Sequence, residues 1–191
     1  MMMDSVLSFW FEELKPAQWW RKSKALDKKI KERFGALYSQ AVAGELWQWR
    51  DTAKGRLAEI ILLDQFSRNL FRDSPQAFAA DAMALALAQE AIRAKADQQL
   101  TPAERVFLYM PFMHSESKKI HQQASQLFSD NADASQGTKA ELKGPISSLK
   151  SQQAHSAIIE RFGRYPHRNK ILARESSKEE IEFLKQPGSS F

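Results

Sequence analysis

The chain has 191 residues, 43% of them hydrophobic and 27% charged, with 28 basic side chains interspersed among 23 acidic ones and a net charge of +5. This balance suits one soluble domain with a sizeable core and gives only weak attraction to nucleic acid or anionic lipid. The lack of cysteine excludes disulfides, thiolate metal sites and a cysteine nucleophile. No apolar run approaches the ~18 residues needed to span a bilayer. The opening Met1 to Ser5 has neither the basic flank nor the apolar stretch of a signal peptide, so a cytoplasmic location is expected.

Periodicity predicts helix almost throughout. Ser5 to Leu14 forms a short aromatic helix that Pro16 closes. From Ser23 a second helix carries Leu26, Ile30, Phe34, Leu37 and Ala41 on one stripe and stops near Gly44. Ala53 to Phe66 is apolar around much of its circumference, which places it at the centre of a bundle. Ser74-Pro75 is a cap with proline in the first turn, opening an alanine-rich helix from Phe78 to Ala96. Thr101 to Glu104 is a capping box, and Pro111 is expected to bend or end the helix it starts. A further helix is expected from Ser115 to Phe128. Residues 129–148, rich in Asn, Asp, Ser, Gly and Pro, read as a flexible loop. Helix resumes through Leu149, Ala154, Ile158 and Phe162 and ends at Gly163. A last capping box, Ser177 to Glu180, precedes a short helix. No segment alternates as a strand does, and no internal repeat is evident. The expected fold is all-α, one helical domain over residues 1–191.

The densest chemistry lies in Arg161-Phe162-Gly163-Arg164-Tyr165-Pro166-His167-Arg168-Asn169. Arginine forks are suited to bidentate capture of carboxylate or phosphate, so three in one bend require an anionic partner. Two readings stand side by side. Arg161, Arg164 and Arg168 either clamp internal carboxylates and helix carbonyls, or they form a pocket for an anion that His167 and Asn169 orient.

Asp64 sits in the most apolar helix, where an unpaired carboxylate would be costly. Arg68, four residues on and followed by Asn69, can reach it from the same face. Asp64 therefore either fixes the arginines of a site or anchors a buried ion-pair network. His114 and Glu116 follow Pro111 and, with His167, are the candidate catalytic residues. Joined by His155 or His167 they would resemble a two-histidine, one-carboxylate metal site, but the spacing is loose and no metal or other cofactor is assigned. His121 is expected at the surface. The five tryptophans, Trp10, Trp19, Trp20, Trp47 and Trp49, are expected to pack the first helices onto the bundle with their indole N–H groups satisfied. No Gly-rich phosphate loop, nucleophile elbow, zinc-peptidase motif or nucleic-acid module occurs.

Four stretches resemble one bacterial family: Phe9-Trp10-Phe11, Leu63 to Asn69, Phe107 to Glu116, and Arg161 to Asn169. The sequence is similar over nearly its whole length to the proteins grouped as domain of unknown function 924, departing at Ser67, where that family usually has proline. The resemblance implies an all-helical fold with packing like that of tetratricopeptide repeats, and it implies no known activity.

The resulting expectation is a binding or scaffold module. A polar Arg/His/Asp site would take an anionic small molecule or a peptide carboxylate, and a protein partner is compatible with the class. The alternative is a hydrolase-type enzyme acting on an anionic small molecule, with or without a metal, in which His114 or His167 is the general base.

Overall fold

The computed structural model of the protein describes residues 2–135 and 139–190, with side chains left undescribed from 139 to 143. Among the described residues there is no strand, and no helix is long and apolar enough to cross a membrane.

Helix α1 covers residues 2–13, an α-helical stretch Met2–Ser8 that widens into a π turn, Phe9–Glu13. Pro16 does not merely end it. It opens the short α2, Pro16–Trp19, occupying a first-turn position where the missing N–H is not needed. Helix α3, Lys24–Val42, begins where the Ser23 hydroxyl accepts from the Leu26 N–H, and it buries the expected stripe of Leu26, Ile30, Phe34, Leu37 and Ala41.

Helix α4 covers residues 53–70 in three consecutive pieces, Ala53–Ile60, a π turn Ile61–Phe66, and Ser67–Leu70. Every residue from 57 to 67 is buried, as expected of a helix apolar on all sides. Gly55 near its start is obligatory, because a Cβ there would lie 1.9 Å from the Trp49 carbonyl oxygen of the preceding 3₁₀ turn, Trp47–Asp51.

The Ser74-Pro75 cap opens a 3₁₀ turn, Pro75–Phe78, rather than the long helix predicted, and α5 starts later, at Asp81–Arg93. The capping box of Thr101 and Glu104 launches α6, Pro102–His114. This helix passes straight through Pro111. A proline disfavours a helix interior, but Val106 to Met113 are all buried, so tertiary packing on α4, α5 and the following helices outweighs that local preference. Helices α7, Lys118–Asp133, and α8, Lys139–Phe162, pack on α6 and on each other.

Most of the loop expected at 129–148 is therefore helix. Its first residues finish α7 and its last ones start α8, which runs through Pro145. Residues 134 and 135 follow α7, and residues 136–138 lie outside the described residues. A polar composition is compatible with helix as well as with irregular backbone, and here it accompanies helix. Gly163, at φ +69°, then turns the chain into the 3₁₀ segment Pro166–Arg168. The second capping box starts α9, Lys178–Leu184.

The main core is aromatic where α1 meets α3, α4 and α6. Phe9 lies 5.0 Å from Phe34 and 6.0 Å from Phe66 between ring centroids, and Trp10 lies 5.5 Å from both Phe66 and Phe107. Such pairs contribute about 0.5–1.5 kcal/mol beyond burial. The tryptophans divide. Trp10 is buried, whereas Trp20 and Trp47 are 59% and 60% exposed. Trp19 Nε1 donates to the Trp10 carbonyl at 2.8 Å, but the buried Trp10 Nε1 finds no acceptor among the described residues. The expectation that every indole N–H is satisfied fails there.

Candidate functional site

The π turn in α4 places Asp64 at the centre of the polar geometry. Such turns recur at functional sites because one extra residue redirects side chains. The Asp64 carboxylate is 0% exposed. Its Oδ1 accepts from His114 Nδ1 at 2.7 Å, and its Oδ2 accepts from Gln65 Nε2 at 2.5 Å. Arg68, one helical turn on, holds Nη1 3.5 Å from Oδ1 and donates to the Asp64 backbone carbonyl at 2.5 Å. Burial alone would push the Asp64 carboxyl up. The charge that His114 carries in acid, then that of Arg68, and the hydrogen bonds from His114 and Gln65 outweigh burial and hold it below the usual carboxylate range. His114 moves the other way. Burial, then the Arg68 guanidinium, lower its pKa against the attraction of Asp64, so it stands as a neutral imidazole donating from Nδ1.

Arg68 faces a second carboxylate, Asp81, in the first turn of α5, where the helix dipole favours negative charge. Arg68 Nη2 donates to Asp81 Oδ2 at 3.1 Å, and Nη1 lies 3.0 Å from Oδ1, out of line for a hydrogen bond. Arg168 Nη1 reaches the same Asp81 Oδ2, but only at 3.4 Å. Its Nη2 donates to the His114 backbone carbonyl at 3.1 Å, closing the end of α6. Its guanidinium lies 4.6 Å from the ring centroids of both Phe78 and Tyr165. Arg168 is 7% exposed, and its Nε has no hydrogen-bond acceptor among the described residues. Burial and the neighbouring Arg68 together push its pKa below the ordinary arginine value.

The other residues of the 161–169 bend serve a different purpose. Arg164 Nε and Nη2 grip the Glu180 carboxylate at 2.7 and 2.8 Å, and Nη2 also donates to the Glu175 carbonyl at 2.8 Å. Arg161 pairs with Glu179 at 2.9 Å at the surface. Both therefore tie the bend to α9. Asn169 is buried and donates to Ser176 Oγ at 3.0 Å. Glu116 turns away from His114. It is held by Arg174 at 2.6 and 2.9 Å and accepts from the Tyr165 N–H at 2.7 Å. Asn69 leaves in yet another direction, donating to Asp27 of α3 at 2.8 Å beside a bidentate Arg72.

Of the residues singled out by sequence, the structure thus brings Asp64, Arg68, His114 and Arg168 together. It does not bring Asn69, Glu116, Arg161, Arg164 or Asn169 to the same point. His167 packs on Tyr165 in a tilted arrangement with ring centroids 5.4 Å apart, and burial followed by Arg168 lowers its pKa to about 4. His121 is 0% exposed rather than superficial. Its Nε2 donates to the Ser115 carbonyl at 2.8 Å and lies 3.2 Å from the Tyr165 hydroxyl, which itself donates to the Met113 carbonyl. With His155, 5.7 Å from Tyr165, three histidines surround one tyrosine, and His114 lies 6.5 Å from His155. Among the described residues no group of three or more His, Asp or Glu side chains is placed to hold a metal ion. Sequence reasoning missed Asp81, Arg174 and the α9 glutamates. Asp81 carried one usable signal, an acid at the start of a predicted helix, whereas Arg174 lies outside any motif.

Fold and site together define an all-helical protein organised around a buried Asp–His–Arg centre. Residues 6–188 match the model of a family described as bacterial protein of unknown function (DUF924), and the chain belongs to that family. The structure is similar to that of a protein of unknown function, ATU0120, from Agrobacterium tumefaciens. The identity is 35%, the TM-score 0.85, and the match covers 96% of this chain and 97% of that one. No curated protein matches the sequence.

Proposed function

We propose that the protein is a helical binding module whose site is the Arg68–Arg168 pair, and that its ligand carries an oxyanion, in a small molecule or a peptide carboxylate. The observation that carries this reading is Arg168: a guanidinium more than nine-tenths buried, beside a second arginine, sharing one carboxylate at 3.4 Å and with Nε lacking an acceptor. Burying an incompletely paired charge is costly. An oxyanion between the two forks would remove that cost, and the two arginines would recognise it through charge-assisted hydrogen bonds. Arg68, Asp81 and His114 keep 23%, 19% and 13% of their side-chain surface exposed, which gives a ligand an approach.

Arginine Nε–H resonances test this residue by residue. Titration with sulfate, succinate and an acidic peptide is expected to shift the Arg168 Nε–H saturably. The Arg164 Nε–H, already donated to Glu180, should stay in place. Equal, unsaturable drift of both signals would leave Arg168 as a structural clamp and remove the site.

A second reading, acid–base catalysis on the bound anion, is favoured by the Asp64–His114 contact. A buried carboxylate that fixes Nδ1–H of a neutral imidazole leaves Nε2 as the basic nitrogen, the arrangement a general base needs. Hydrolysis of an anionic ester that vanishes in His114→Asn would support it.

A further inference from the structure

We propose that the Arg68–Arg168 site takes up its anion together with a proton, which is received by Nε2 of His114. This deepens the reading above and rests on it. The argument begins with the charges that meet at one place. Asp64 and Arg68 come from α4, Asp81 from the first turn of α5, and Arg168 from the 3₁₀ turn before residue 169. His114 ends α6 among them, with Asp64 at 2.7 Å and Arg168 on its carbonyl at 3.1 Å. His155 of α8 lies beyond its ring at 6.5 Å, and the more distant His121 of α7 and His167 feel its charge unfavourably.

With His114 neutral, two carboxylates balance two guanidiniums and the cluster sums to zero. An incoming oxyanion adds a negative charge to a poorly hydrated centre, where charge imbalance costs far more than in water. Of the five described groups in the cluster, His114 is the one whose ordinary pKa lies near neutrality and which can restore the balance. Its Nδ1–H is already committed to Asp64, so the proton adds to Nε2 and the Asp64 hydrogen bond survives. Arg68, which disfavours the imidazolium in the free protein, is itself partly neutralised by the bound anion, so the obstacle to protonation falls as the ligand enters. Binding and proton uptake are then reciprocal.

Calorimetry with sulfate and with propionate, at about pH 6 and about pH 8, tests this, because both anions keep constant charge between those values and any pH dependence belongs to the protein. Wild-type affinity is expected to rise as pH falls, by up to roughly tenfold per pH unit where one whole proton is taken up. His114→Asn, which keeps an N–H for Asp64, should bind with affinity independent of pH. The stronger of the two anions identifies a phosphate-like or a carboxylate ligand, with the same pH trend expected for each. Saturable wild-type binding of equal strength at both pH values would overturn the coupling and leave the site standing. So would an undiminished pH trend in the Asn variant. Absence of saturable binding at either pH would overturn the site itself and the coupling with it. Should the variant not fold, ¹⁵N spectra of the wild-type imidazoles decide the question. Protonation of His114 Nε2 on adding sulfate near pH 7 is the expected result, and an unchanged neutral ring is the contrary one.

Discussion

Arg161 and Arg164 leave the 161–169 bend toward α9, while Arg168 leaves it toward α4 and α5. The outward pair meets acids in equal number, Glu179 and Glu180, and Arg164 holds its carboxylate in a bidentate grip that lowers the Glu180 pKa to about 2. Close by, Arg174 holds Glu116 in the same way. The inward arginine instead shares Asp81 with Arg68 and keeps one donor without an acceptor. Identical side chains a few residues apart thus end in different electrostatic states. What separates clamp from candidate site is whether a carboxylate is aligned to receive both arms of the arginine fork, as Glu180 is for Arg164 and Asp81 is not for Arg168, a property of the packing partners and not of the motif.

That contrast can be attacked at its two ends. The largest effect is expected at the buried centre. Asp64→Ala strands Arg68 and His114 away from water and should cost about 3–5 kcal/mol in urea unfolding. A loss under 1 kcal/mol would mean that the centre is far wetter than its burial implies.

Next in size is the response to acid. His155 is buried and His167 partly buried, and both are held neutral, with pKa values lowered to about 3 and about 4, desolvation being the main cause. The unfolded chain binds those protons near pH 6.5, so it holds more protons than the folded chain below that value and acid favours unfolding. Stability is therefore complete above about 6.5 and falls as pH drops toward 4 and then 3. Unfolding free energies at several pH values should show this slope already above pH 4.5, before the carboxylates contribute, and His155→Gln should make it shallower. A flat profile from pH 7 to 5 would contradict the histidine core.

The outer clamp should respond more mildly. Glu116→Gln leaves Arg174 half-solvated and is expected to cost about 1.5–3 kcal/mol, since hydrogen bonds to charged groups are worth roughly that much. Arg161→Ala breaks a surface pair whose partners are 48% and 62% exposed, and it should change stability by less than about 0.5 kcal/mol. Reversal of that order would break the distinction between inner centre and outer clamp.

Much of this was legible in the sequence. Helical periodicity and the capping boxes at Thr101 and Ser177 located their helices, and the i,i+4 spacing of Asp64 and Arg68 foretold their contact. The misreadings share a cause: each took a local preference at face value where tertiary packing decided the outcome. Pro111 and Pro145 lie within helices, the polar stretch 129–148 is mostly helix, and His121, flanked by Lys118, Lys119 and Gln122, is buried under Tyr165. The site itself was half visible. Asp64, Arg68, His114 and Arg168 stood in the motifs, but which arginine they would meet depended on Asp81, Glu179 and Glu180, whose convergence no spacing rule encodes.

Under the proposal, Arg168 is an anion receptor that the protein's own carboxylates leave incompletely satisfied. Its most direct test compares thermal unfolding of wild type and Arg168→Gln in sodium sulfate and in sodium chloride of equal ionic strength. A ligand at a hundred times its Kd stabilises by about 2.7 kcal/mol, so wild type should gain a Tm increment in sulfate that the variant lacks, while any general salting effect raises both alike. Equal increments in the two proteins would show that the arginine is a structural clamp and that the site does not exist.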